Sequence, residues 1–138
     1  MVNLYLLIAI IILSFGIGGL LLKMSVARLG PETALFWTVL VYIITDTAIF
    51  LYLLHYGVST AFDKTKILPM LAGLTTFAGV IWTYWLFNKM NASIASPLTA
   101  LYPAVTVVLA VLILKEKIKL VNGVGILLAL VAAVLLAL

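Results

Sequence analysis

Five apolar runs separated by short polar interruptions organise this chain: residues 2–22, 34–56, 67–88, 92–114 and 120–138. Each is close to the roughly 20 residues that an α-helix needs to cross a bilayer. The runs are continuous rather than alternating, which argues against the period-two pattern of a transmembrane β-barrel. The pattern predicts an all-α, polytopic membrane protein with five transmembrane helices. Lys23 ends the first run and Lys89 follows the third. Gly30-Pro31-Glu32-Thr33 precedes the second, with Thr33 as its candidate N-cap. The interruptions are short, so successive helices should be antiparallel neighbours. Residues 1–138 are expected to form one transmembrane domain.

Composition agrees with the pattern. Of 138 residues, 67% are hydrophobic and only 9% charged. Soluble domains carry about 25% charged residues, so lipid is the expected solvent. The net charge of +4 does not indicate nucleic acid, because its eight basic residues lie in short loops beside apolar runs. No Gly-rich phosphate loop, Cys/His metal spacing or nucleophile elbow is present, so neither metal nor cofactor is expected. Cysteine is absent, and redox compartment is therefore unreadable. The N-terminal run has no basic leader and no small-residue cleavage site, and is expected to be a first membrane helix.

Five crossings put the two termini on opposite sides. Lys64, Lys66, Lys115, Lys117 and Lys119 fall on one side, and Lys23, Arg28 and Lys89 on the other. Five against three is a shallow bias toward a cytoplasmic N-terminus. Near-balanced loops also suit insertion in both orientations.

Asp46 stands near the middle of the second run. A charged carboxylate there costs about 2.5–3.5 kcal/mol on insertion scales. Intramembrane carboxylates normally face a partner or a watery cavity. Thr38, Tyr42, Thr45 and Asp46 share one side of the helix, in steps of four, three and one. Ser14, Thr76 and Trp82 on neighbouring runs, with Thr99, Tyr102 and Thr106 on the fourth, are further candidates to line a polar cavity. The alternative for each threonine is a hydroxyl bonded to its own helix. Trp37, Tyr52, Tyr56, Trp85 and Phe87 fit an interfacial aromatic belt, and His55 lies at a run's end. Pro97 and Pro103 interrupt the fourth run, as a packing kink or as the broken helix of a substrate site. Small residues recur every fourth position at Thr75-Gly79-Thr83, Ala92-Ser96-Ala100-Ala104 and Gly125-Ala129-Ala133-Ala137, which predicts close helix contacts.

The chain also resembles a single repeat of the EamA type in the drug/metabolite transporter superfamily. Pro103, Glu116 thirteen residues later and Gly125 nine residues after that match the second half of the repeat. Phe15-Gly16 stands where the family often has Trp-Gly, with Lys23 seven residues beyond Gly16. Lys115 departs from the pattern, replacing a usual Gly. Ala132 departs likewise, near a second usual Gly. Asp46 is not part of it. The resemblance implies structural roles for Gly16, Lys23, Pro103, Glu116 and Gly125. It also implies one half of a ten-helix inverted-repeat transporter, completed by a homodimer or by a second five-helix chain.

The leading functional expectation is a small-molecule transporter acting by alternating access, with Asp46 as coupling group. Its partners would be a small-molecule substrate and the bilayer, most naturally the plasma (inner) membrane of a prokaryote. The alternative is a non-transporting scaffold or accessory subunit. An enzyme is disfavoured, because one carboxylate without a base, nucleophile or metal cluster makes no active site.

Overall fold

The structure, a computed structural model, describes residues 3–137. The ends of the outer runs, Val2 and Leu138, lie outside the described residues, as do the side chains of Leu136 and Ala137. Six α-helices follow one another: α1 (Leu4–Leu29), α2 (Pro31–His55), α3 (Ile67–Lys89), α4 (Ala92–Thr99), α5 (Tyr102–Leu114) and α6 (Leu120–Ala137). A 3₁₀ turn at Lys64–Lys66 precedes α3. No strand occurs among the described residues. Four stretches are long and apolar enough to cross a membrane: α1, α2, the 3₁₀ turn with α3, and α4 with α5. The shorter α6 has 18 residues, which reach about 27 Å at 1.5 Å per residue against a hydrocarbon layer of about 30 Å. The fold is therefore all-α and multi-pass, as the pattern predicts.

The helices group into two compact units, α1–α3 and α4–α6. In the first, α1 does not stop at Lys23 but runs on to Leu29. Hydropathy marks where lipid ends. Helical hydrogen bonds continue past that boundary, and a basic residue such as Arg28 in the last turn complements the helix dipole. Gly30 stops the helix. Its backbone is at φ 80° and its N–H returns to the Val26 carbonyl at 3.0 Å. A side chain would be strained there. Pro31 then opens α2 at a position that needs no N–H. The expected Thr33 cap is thereby corrected: α2 starts before it, with Gly30 as N-cap.

Packing in this unit concentrates at the α1–α2 turn. Val26, Ala34 and Tyr84 form its core, flanked by Leu22, Leu35, Val80 and Trp85. Phe87 is buried beside the C-terminal end of α3, so it is not a belt residue. From Leu40 to the end of α2 every residue is exposed, as are the first turns of α1 and α3.

Between α2 and α3, Asp63 caps the 3₁₀ turn. It accepts from the Thr65 N–H at 2.7 Å and from the Thr65 hydroxyl. The Lys66 ammonium donates to Ser59 O at 3.1 Å and to Ala61 O, and lies 3.8 Å from the Asp63 carboxylate. The Thr65 hydroxyl and then the Thr65 N–H hold the Asp63 carboxyl below its usual range, against slight desolvation. A depressed carboxylate contributes its capping stability above the unfolded value of about 3.9 and loses it as pH falls through the folded value. The Thr65 amide resonance of the protein in detergent should therefore titrate with a midpoint below about 3.9. A midpoint at or above that value refutes the cap.

The second unit contains the fourth apolar run, which is broken rather than bent. α4 ends at Thr99 and α5 begins at Tyr102, with Pro103 in its first turn. Pro103 has no N–H to give the Thr99 carbonyl, and its ring crowds that carbonyl. The chain closes α4 with Ala100 N–H on Ser96 O at 2.9 Å and Leu101 N–H on Leu98 O at 3.2 Å. Pro97 lies inside α4 without ending it. α4 packs on α6, with Ala95 and Ala133 buried. Ala133 thus realises part of the small-residue ridge inside this unit. Gly125 of the same ridge has open space beside it, as do Gly16 and Gly79.

Candidate functional site

The α2 stripe divides at the edge of the packed end. Thr38 is half-buried and its hydroxyl donates to Ala34 O at 3.1 Å. Across from it, the Tyr84 hydroxyl interacts with the Thr38 side chain, with Tyr42 also in electrostatic reach. Tyr84 is only 2% exposed. Sequence reasoning missed it, although Tyr84 follows Val80 by one helical turn and so lies on the same face. Thr38, Tyr42 and Tyr84 are the polar groups that the fold of this unit brings together.

Beyond Tyr42 the stripe leaves the packed end. Thr45 bonds its own helix, donating to Val41 O at 3.0 Å and Tyr42 O at 3.2 Å. Asp46, one turn past Tyr42, is exposed, and its carboxylate makes no hydrogen bond or ion pair among the described residues. Ser14 on α1 is exposed, and Trp82 is 71% exposed, 6.5 Å from Trp85 between ring centres. Neither meets the Thr38–Tyr42–Tyr84 group. In the second unit Tyr102 is exposed and Thr106 donates to Tyr102 O at 3.3 Å. An open groove there is lined by Ala104, Val105, Val108, Leu109 and Leu130, all apolar. No group of three metal-ligating side chains occurs among the described residues.

Two residues of the pattern, Lys23 and Glu116, engage backbone carbonyls. The Lys23 ammonium donates to Phe87 O at 2.6 Å. That carbonyl is among the last four of α3, which have no partner within the helix. A cation there also complements the negative end of the α3 dipole. Lys23 thus ties α1 to the end of α3. Lys23→Met should cost about 1.5–3 kcal/mol, the range for hydrogen bonds to charged groups. Denaturant unfolding in detergent measures this, with the exposed Lys64→Met as a reference expected within about 0.5 kcal/mol of wild type. Equal loss in both variants would sink the tie. At the end of α5, Lys115 adopts a left-handed conformation, φ 55° and ψ 33°. This lets both the Lys115 N–H and, at 3.3 Å, the Glu116 N–H return to the Ala110 carbonyl and close the helix. The Glu116 carboxylate makes no ion pair with the neighbouring lysines among the described residues.

These features define a multi-pass membrane protein with a carboxylate midway along its second apolar span and a break in its fourth. The chain belongs to the EamA-like transporter family, whose model matches residues 3–138. It is 29% identical over 107 residues to an uncharacterized protein of Methanocaldococcus jannaschii. That alignment covers 77% of this chain and 78% of the relative, so the two are of nearly equal length. No solved structure is significantly similar to the chain.

Proposed function

We propose that the chain is one half of a small-molecule transporter that works by alternating access, completed by a second copy. Asp46 is the coupling carboxylate, and Tyr42 with the Thr38–Tyr84 contact forms the adjoining polar wall. The observation that carries this reading is the position of Asp46. It is a carboxylate within an apolar span, exposed on α2, one turn from the polar contact that Thr38, Tyr42 and Tyr84 make at the packed end of the first unit. Lipid is a poor cover for it, whereas the central pathway of a paired assembly would supply water or substrate. Family membership supports the transporter reading, and a relative from Methanocaldococcus jannaschii supports a prokaryotic plasma membrane.

The test is dilution in proteoliposomes. Where vesicles hold single chains, uptake per chain should vanish, and it should return as the protein-to-lipid ratio rises. Uptake per chain that stays constant at the lowest ratio overturns the dimer.

The wholly apolar groove of the second unit favours a second reading, a non-transporting subunit. On that reading no substrate class raises the melting temperature of the purified protein. On the transporter reading at least one does, by mass action.

A further inference from the structure

We infer that the α5–α6 turn, Lys115–Glu116–Lys117–Ile118–Lys119, is a binding site for anionic phospholipid headgroups. Three ammonium groups fall within five residues. A fully extended chain separates the outer two Cα atoms by no more than about 14 Å. Screening extends only about 8–10 Å in physiological salt, so neighbouring lysines repel one another. Glu116 offsets one of the three charges and leaves the turn with a net +2, and none of Lys115, Lys117, Lys119 and Glu116 enters an ion pair among the described residues.

A second, independent feature falls on the same residues. Lys115 is the one non-glycine residue with positive φ among the described residues. A side chain bearing Cβ is strained in that conformation, which glycine adopts freely. The turn therefore carries backbone strain where a glycine would relieve it, and gains a third positive charge by doing so. Strain held against a simple alternative marks a functional position.

The location selects the ligand. Leu114 precedes the turn, Leu120 follows it and Ile118 lies within it, and all three are exposed. The lysines thus stand at the rim of the lipid-facing apolar band. The anions at that level are headgroup phosphates, and the cytoplasmic leaflet, where this turn is expected, is the anionic one. Each lysine near such a surface contributes a factor of about five in binding.

The experiment uses the full chain in detergent micelles, titrated with phosphatidylglycerol and, separately, with phosphatidylcholine and with inorganic phosphate. Native mass spectrometry counts bound lipid, and melting temperature is read in parallel. Wild type should prefer phosphatidylglycerol over phosphatidylcholine. Lys117→Gln should weaken phosphatidylglycerol binding about fivefold, and the triple Lys115/Lys117/Lys119→Gln variant about a hundredfold. Lys115→Gly should separate the two roles: it raises the melting temperature of the lipid-free protein while weakening phosphatidylglycerol binding about fivefold. Lys89→Gln, which removes one charge on the opposite side, should leave binding unchanged. The proposal is overturned if wild type shows no preference between the lipids. It is equally overturned if Lys89→Gln weakens binding as much as Lys117→Gln, or if inorganic phosphate alone displaces the bound lipid at equal concentration.

Discussion

Phe87→Ala should cost about 3 kcal/mol of stability, the lower end of the range for deleting a buried aromatic ring. The lower end applies because lipid is as apolar as a protein core, so the transfer term nearly cancels and the unfilled cavity dominates. Phe87 is 2% exposed, against the end of α3 where the first unit packs. Its carbonyl is also the acceptor for Lys23. Deleting the ring therefore loosens the segment that holds the ammonium in place. Trp82→Ala, five residues earlier on the same helix, removes a larger ring that is 71% exposed. It should change stability by no more than about 0.5 kcal/mol. Unfolding of both variants in one detergent, by denaturant titration, gives the comparison. Equal losses would mean that the packed end is not where the first unit gets its stability.

That pair also shows what the sequence reveals and what it hides. Phe87 and Trp82 are both aromatic residues near the end of one apolar run, and run length alone does not tell them apart. In a soluble protein the apolar period would separate a core position from a surface one. In a membrane the solvent is itself apolar, so a lipid-facing ring and a buried ring carry the same signal. For the same reason the buried Tyr84 was invisible, whereas the all-α, multi-pass class was legible from run length alone. Helix ends were less legible. Lys23 marks the polar boundary, but the helix continues until Gly30 and Pro31 change the backbone chemistry. Pro103 was legible as an interruption, since a missing N–H is local. Whether it bends or breaks the helix depends on what the freed carbonyls find around them. Two points of the stretch around α5 act on the backbone: α5 begins with Pro103 in its first turn, and the left-handed Lys115 ends it.

Asp46→Asn should abolish proton-driven accumulation in proteoliposomes, reducing it to the level of protein-free vesicles, while leaving the protein folded. Asparagine keeps the shape and the hydrogen-bonding capacity of the side chain but cannot exchange a proton. Asp46 makes no ion pair among the described residues, so the substitution leaves no orphaned cation behind. Holding a carboxylate charge at mid-membrane costs about 2.5–3.5 kcal/mol, and the neutral amide removes that cost. Melting temperature should therefore stay level or rise. A loss of function that accompanies a gain in stability is the signature of a group retained for its chemistry rather than for packing. Tyr42→Phe, one turn away, should give a graded defect: weaker uptake with the pH dependence intact, because the ring remains and only the hydroxyl is lost. Uptake is measured with an imposed pH gradient and again with the gradient collapsed. If Asp46→Asn retains a full response to the gradient, Asp46 is not the coupling group. If it instead lowers the melting temperature, the carboxylate has a structural partner in the assembled protein, and the non-transporting reading gains the ground that the transporter reading loses.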